Sequence, residues 1–478
     1  MSDLVPTTTP PEIVAEEGGG DPTAEELRKK IAEAREGVAA DKAAEDAWVE
    51  KINKTHFYAP VGGVSRVWKI TPDGAVPMRV ETFRNNFANI KVPVKKGGKT
   101  RFIDMGSAWL GHPKRSQYLG GVGCYPKEGT CPSDTYNLWQ GFAVEPKPGD
   151  WSIFREHIET NICQGDEALI CYVLGWMAHA VQMPNEPAGT ALALRGRQGT
   201  GKSVFGQHFG YIFHDGRHYL VINNRKHLTT RFNAHLMNKI VILVDDVAFS
   251  GDKGNWGYIK SLITSPTISV EYKGVDVIHV QNFLHMIITS NDNWVVPVEA
   301  SDRRWCVIDV GEGRCKDVEF FSAMQKQLLE GGYSGLLYDL LRIPLINLLS
   351  IPKTKARDEQ KIMSLDGVNA WWMDILLEGI LPGTEVTEFM IWEGWAFRHV
   401  LYEHYRNSQK YPLDVSLWAK QLRIISGCIN GSKKRYFGAG QKRTYTFPTL
   451  KECRERFERI VDITIDWDDA DPGVGGAA

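Results

Sequence analysis

Residues 191–203 spell out a loop able to hold phosphates. Ala191-Leu-Ala-Leu-Arg195 is an apolar run that reads as a strand, and it leads into Gly196-Arg197-Gln198-Gly199-Thr200-Gly201-Lys202-Ser203. This is G-x-x-x-x-G-K-S between a strand and the opening of a helix. Glycines let main-chain N–H groups turn inward to hold β- and γ-phosphates without a Cβ clash. Lys202 supplies a point charge, and the Ser203 hydroxyl can ligate Mg²⁺. The competing reading is a chance Gly-rich loop, and the correct flanking elements weigh against it. Forty-three residues beyond Lys202, Lys239-Ile-Val-Ile-Leu-Val ends in Asp245-Asp246. Asp245 at a strand tip suits the Mg²⁺ water shell, and Asp246, one step on, suits polarising an attacking water. Two acids after a strand also cap helices; only their pairing with Gly196–Ser203 favours catalysis. A third run, Leu284-His-Met-Ile-Ile-Thr-Ser290, ends at Asn291. That residue could orient water beside a γ-phosphate, or form a turn with Asp292-Asn293. Ser301-Asp302-Arg303-Arg304-Trp305 then offers two arginines. One could reach a γ-phosphate on a neighbouring subunit, or pair with Asp302 at the surface.

Such residues need elements to position them. The runs before Gly196, Asp245 and Asn291 are apolar without alternation, as expected of strands buried on both faces of a parallel sheet. A chain of 478 residues suggests about three folding units. Residues 1–50 begin Pro/Thr/Glu/Gly-rich and continue into a charged helix from Thr23, either a solvated lead-in or a docking arm. Residues 51–150 alternate short β-rich pieces, Ser65–Ile70 and Arg101–Phe102 among them, with Gly, Pro and Asn turns, which predicts a small α+β module. Residues 151–183 carry a helical period that predicts two helices. An ATPase core follows over 184–350, a helical C-terminal domain over 351–461 with helices at 391–405 and 416–425, and an acidic disordered tail over 462–478. The net charge of -2 conceals a division: -8 over residues 1–50, -5 over 462–478, and therefore +11 over the body. A polyanionic partner is compatible with that body. Eight cysteines without a C-x-x-C pair read as free thiols in a reducing compartment rather than a disulfide framework or a zinc site. Neither a signal peptide nor a membrane-spanning run is expected, and a cytoplasmic location is expected.

Candidate nucleic-acid contacts lie outside the nucleotide motifs. Thr267–Tyr272 and Val275–Val280 read as a hairpin whose tip holds Lys273 beside an aromatic, suited to one phosphate and one stacked base, though an ordinary exposed lysine explains it too. Lys433-Lys434-Arg435-Tyr-Phe and Gln441-Lys-Arg-Thr-Tyr445 flank a Gly turn, which reads as a wing able to touch backbone phosphates or as a merely solvated hairpin.

The block from Asp245-Asp246-Val-Ala-Phe through Lys260-Ser-Leu-Ile-Thr, Val270-Glu-Tyr-Lys273-Gly274, Thr289-Ser-Asn291-Asp-Asn-Trp and Asp302-Arg-Arg304 resembles the helicase part of phage and prophage primase-helicases, superfamily 3 AAA+ helicases. The resemblance extends more loosely from about Phe57 to Val461. It implies a P-loop AAA+ ATPase core with a parallel sheet, preceded by the small α+β and helical module and followed by a winged-helix-like domain. It makes Gly196–Ser203 the Walker A loop, Asp245 and Asp246 Walker B, Asn291 sensor 1, and Arg303 or Arg304 the arginine finger. Lys260 through Lys273 would form the segment whose hairpin meets DNA. The implied activity is ATP- and Mg²⁺-dependent helicase or translocase action on single-stranded or forked DNA by a homo-oligomeric, six-membered ring in phage or mobile-element replication. A DNA-bound loader or switch that does not unwind is the alternative. Two departures stand out. Relatives place Glu where Asp246 stands, which draws the base back by about one C–C bond. No D-x-D-bearing catalytic strand is evident in the first 150 residues, so primers are expected from a separate primase or polymerase.

Overall fold

The computed structural model describes residues 47–96, 99–229, 233–246, 256–272, 276–299, 302–382, 392–436 and 440–467. The chain divides into two compact units. One comprises residues up to Ala59, Ser65–Thr71 and Val76–Tyr118; the other comprises Pro60–Val64, Pro72–Ala75 and everything from Leu119 onward. The division at Leu119 falls inside the stretch 51–150 that composition alone treats as one module.

The first unit contains most of a three-stranded sheet, β1 (His56–Val61), β2 (Val64–Thr71) and β3 (Gly74–Arg79), then helix α1 (Val80–Asn86). An antiparallel pair follows, β4 (Lys91–Lys96) with β5 (Lys99–Asp104), and helix α2 (Met105–Leu110). Val49, Ile52, Val67, Phe83 and Trp109 form its core. Asp104 starts α2 by accepting the Ser107 N–H at 2.7 Å, satisfying a donor that the first turn leaves free.

In the second unit, after the parallel pair β6 (Gly121–Gly123) and β7 (Thr135–Asn137), the predicted helices appear as α3 (Ser152–Glu156), continued by a π-helical turn His157–Ile162, and α4 (Glu167–Gln182). The centre is a sheet of five parallel strands: β8 (Ala191–Arg195), β9 (Tyr219–Ile222), β10 (Val241–Asp245), β13 (His285–Ser290) and β14 (Trp305–Asp309), in the order β14-β8-β13-β10-β9. Every residue of β8 and β13 is buried, as unbroken apolar runs require when helices cover both faces. Strand register decides what comes next. Thr289 lies opposite both Asp245 and Leu194, and Arg195 opposite both Ser290 and Asp309. The strands therefore end level, and the segments beginning at Gly196, Asp246 and Asn291 all emerge at the carboxyl edge, where ligand crevices of open parallel sheets form. Helix α5 (Lys202–Tyr211) follows the first of these segments. Helix α6 (Trp256–Thr264) and an antiparallel pair, β11 (Thr267–Val270) with β12 (Ile278–Gln281), lie between β10 and β13. Helices α7 (Val318–Gln327) and α8 (Tyr333–Leu340) complete this layer around a core that includes Phe154, Trp176, Phe205 and Leu336.

The chain then forms α9 (Lys355–Ser364), α10 (Gly367–Glu378), β15 (Trp395–Phe397), α11 (Arg398–Ser408), α12 (Val415–Ser426), β16 (Ile429–Arg435), β17 (Gln441–Thr446) and α13 (Leu450–Val461). Two expectations change here. The helix expected from Ile391 begins only at Arg398, because Gly394 has φ +69° and Trp395–Phe397 pairs antiparallel with β17. Residues 462–467 of the expected acidic disordered tail pack on the C-terminal core. Ile463 is buried, Ile465 and Trp467 pack on the same core, and Asp462 pairs with Lys361 at 2.9 Å. Apolar side chains alternating with the acids supply the burial that composition conceals.

Candidate functional site

The Gly196–Ser203 loop sits at the end of β8. From Arg197 to Gly201 no main-chain N–H donates to an acceptor among the described residues, so these groups remain free for an anion at the start of α5. Gly201 has φ +88°, and a Cβ there would lie 2.6 Å from His157 and 2.7 Å from Phe321, so both backbone and packing demand glycine. The carbonyls are held from beneath. Asn161 Nδ2 donates to Thr200 O at 2.7 Å, His157 Nε2 to Gly201 O at 3.2 Å, and the Lys316 N–H to Gly199 O at 2.9 Å. Burial pushes the His157 pKa down to about 4, so the ring is neutral and carries its proton on Nε2. The π-helical turn spaces these two side chains to reach adjacent carbonyls.

Lys202 is buried. Its ammonium donates to Gly196 O and Arg197 O, each at 2.7 Å, and to Asn291 Oδ1 at 3.0 Å. Burial lowers its pKa, and the charges of Asp246 and Asp245 oppose that shift. Asn291 Nδ2 in turn donates to Asp246 Oδ1 at 2.9 Å, so one amide joins the lysine to the carboxylate. Asp245 accepts from the Ser203 hydroxyl and from Thr289 Oγ1, the latter at 2.6 Å. A hydroxyl and a carboxylate in contact offer oxygen donors that fit a hard divalent cation. Asp246 has φ +51°, a left-handed backbone that turns its exposed carboxylate away from the strand direction and costs about 1–2 kcal/mol for a residue with a Cβ.

The region after the sheet secures the other side. Arg195, with only 9% of its side chain exposed, binds Asp309 and Glu359 and donates from Nη1 to Asn293 O at 3.0 Å. Gln360, fully buried on α9, accepts from Val295 N at 2.6 Å and Val296 N at 3.3 Å and donates to Asn293 O at 2.6 Å. Helix α9 thus holds the loop that begins at Asn291. Of the paired arginines, Arg304 contacts the buried Asp302 carboxylate at 3.4 Å, while Arg303 is exposed with no hydrogen bond or ion pair among the described residues.

The candidate DNA contacts lie apart from this cluster. Lys260 is only 16% exposed and faces Glu299 at 2.5 Å and Asp302 at 3.4 Å, so local carboxylates already compensate its charge. Lys273 lies outside the described residues. Tyr272, the aromatic expected to stack beside it, donates its hydroxyl to Met237 Sδ at 3.2 Å instead. Lys433 and Arg435 are exposed on β16, and Lys434 lies over the Trp395 ring with Nζ 3.3 Å from its centre.

A protein-family model described as "Family of unknown function (DUF5906)" matches residues 194–304, from the end of β8 to Arg304. A DNA primase-polymerase of Nitratiruptor phage NrS-1 is 23% identical over 248 residues, 49% of this chain and 34% of that protein. The chain thus spans about a third of the length of the curated relative it matches. The apo structure of the NrS-1 C-terminal region superposes with a TM-score of 0.59 at 17% identity, covering 84% of this chain and 99% of that one. Another form of that region gives a TM-score of 0.57 at 17% identity, covering 84% and 98%. Half of this chain is homologous to a phage DNA primase-polymerase, and its fold is similar to that of the NrS-1 C-terminal region. No described helix is long and apolar enough to cross a membrane.

Sequence reasoning had named Lys202, Ser203, Asp245, Asp246 and Asn291, and the fold brings them together. It missed His157, Asn161, Thr289, Arg195 and Gln360. His157 and Asn161 carried a signal, polar residues four apart in a helical stretch, but apolar spacing alone was read there.

Proposed function

We propose that this chain is an ATP-dependent motor of the AAA+ superfamily 3 kind that acts on DNA as a ring, a helicase or translocase in phage or mobile-element replication. The observation that carries the reading is the continuous chain Lys202–Asn291–Asp246 beside the Ser203–Asp245 pair, all at one edge of the parallel sheet. The free N–H groups of Arg197–Gly201 would receive ATP phosphates, and Lys202 would add its charge. Ser203 and Asp245 would hold Mg²⁺, which when bound supplies positive charge to the β- and γ-phosphates. Asp246 and Asn291 would orient the attacking water, and the Asp246 carboxylate would accept its proton. Arg303 is the better finger candidate, because Asp302 engages Arg304; a finger acting in trans needs a neighbouring subunit, hence the ring. The short carboxylate of Asp246, already bonded to Asn291, favours a second reading, a DNA-bound loader that hydrolyses slowly.

Strand displacement on forked DNA, with ATP turnover measured alongside, tests both readings. The motor predicts DNA-stimulated turnover and unwinding, each lost in Lys202→Ala. Turnover without unwinding would leave the loader, and an ATP-loaded protein that stays monomeric on DNA would refute the ring.

A further inference from the structure

Positive charge also gathers in the C-terminal region, away from the nucleotide site. A groove of about 480 Å³ runs between α11 and the start of β17. Arg398 and Arg406, eight residues apart on one helix face and so about 12 Å apart along the axis, line one wall, and Lys442 and Arg443 line the other. Arg406, Lys442 and Arg443 are exposed and make no side-chain hydrogen bond or ion pair among the described residues, and Glu403 is the single carboxylate in the lining. Arg398 is already placed, its guanidinium 4.9 Å from the centre of the Tyr445 ring.

The hairpin also opposes like with like. Lys433 stands directly across from Arg443, and Lys434 from Lys442. Like charges directly opposite each other destabilise a strand pair. Trp395 relieves Lys434 only, so the arrangement weakens the free protein in a way that a bound polyanion would reverse. The aromatics in the lining are committed elsewhere: Tyr402 donates to Leu413 O at 2.9 Å, Trp418 is fully buried, and the His399 ring lies edge-on to Tyr436 with centroids 4.7 Å apart. The groove therefore offers charge without a stacking platform, which suits phosphates rather than bases.

We propose that this groove seats the phosphodiester backbone of a nucleic-acid strand, with Arg398, Arg406, Lys442 and Arg443 as the phosphate contacts. The inference rests on the reading of the chain as a DNA-acting motor. The test is fluorescence anisotropy of the full chain on a labelled single strand and on its duplex across a salt series. On single-stranded DNA the Lys442→Gln/Arg443→Gln double variant should flatten the slope of log K against log salt by about 1.4, and Arg406→Gln by about 0.7; duplex slopes should flatten by about 1.8 and 0.9. Lys420→Gln, exposed on α12 outside the groove, should leave both slopes unchanged, and melting temperatures no lower than the parent's confirm that the variants fold. Parental slopes in both groove variants would overturn the groove while leaving DNA binding intact. A parent chain that binds neither DNA would overturn the groove and the DNA-acting reading together.

Discussion

At the residue scale, the two neighbouring arginines have different surroundings, and this separates their roles. Arg304 reaches an Asp302 whose side chain is fully buried, with Lys260 as the other cation within 4 Å. Removing one partner of a buried carboxylate is costly, so Arg304→Ala should lower the melting temperature. Arg303 makes no hydrogen bond or ion pair among the described residues. Arg303→Ala should therefore leave the melting temperature unchanged and lower ATP turnover about 10³-fold, as removing a trans finger does. The reverse outcome, a stable but inactive Arg304→Ala beside a fully active Arg303→Ala, would reassign the finger. Lys202, Ser203 and Asp246 were readable in advance because their chemistry follows from residue type beside a strand end. Lys260 was not, because the carboxylates that compensate it come from residues 39 and 42 positions away, and nothing near Lys260 announces them.

At the element scale, helix α9 connects the C-terminal region to the loop that follows Asn291. Gln360 makes three hydrogen bonds to main-chain groups of residues 293–296 from a fully buried position. In Gln360→Ala the Val295 and Val296 N–H groups lose that acceptor while Asn293 O keeps Arg195, and a buried unsatisfied group costs about 1–3 kcal/mol. The melting temperature should fall. Turnover should fall further than nucleotide affinity, because the released loop positions Asn291 whereas the Gly196–Ser203 loop keeps its own supports. Equal losses in turnover and affinity would reduce α9 to a structural strap. Strands β8, β10 and β13 were legible as apolar runs of the right length. β15 was not: its three residues form a strand only because β17 supplies the partner edge.

At the scale of the whole second unit, several buried histidines tie its stability to pH. Burial holds His157, His208 and His218 at about 4 and His285 at about 3, against an ordinary value of 6.5. Between about 6.5 and 4 the unfolded chain binds protons that the folded one refuses, so stability is greatest above 6.5 and falls as pH drops through that window. Each such histidine contributes about 1.4 kcal/mol per pH unit below 6.5. Thermal melts from pH 7.5 to 4.5 should show a steep decline beginning near 6.5. A melting temperature constant down to pH 5 would contradict the buried, neutral rings.

The sequence alone determined which polar residues stand at the strand ends and the parallel character of the central sheet, because unbroken apolar runs and a Gly-rich loop before a helix are local patterns with local causes. It also showed that acidic ends mask a basic body. Tertiary structure decided what sequence distance conceals: the register that aligns Gly196, Asp246 and Asn291 at one edge, the π-helical turn beneath the loop, and the pairing of Arg304 rather than Arg303. It also placed lysines and arginines from one strand and one helix around one groove. Apart from the Arg304–Asp302 contact, these depend on which segments pack together, and contacts between residues about 40 to 160 positions apart leave no periodic trace in the chain.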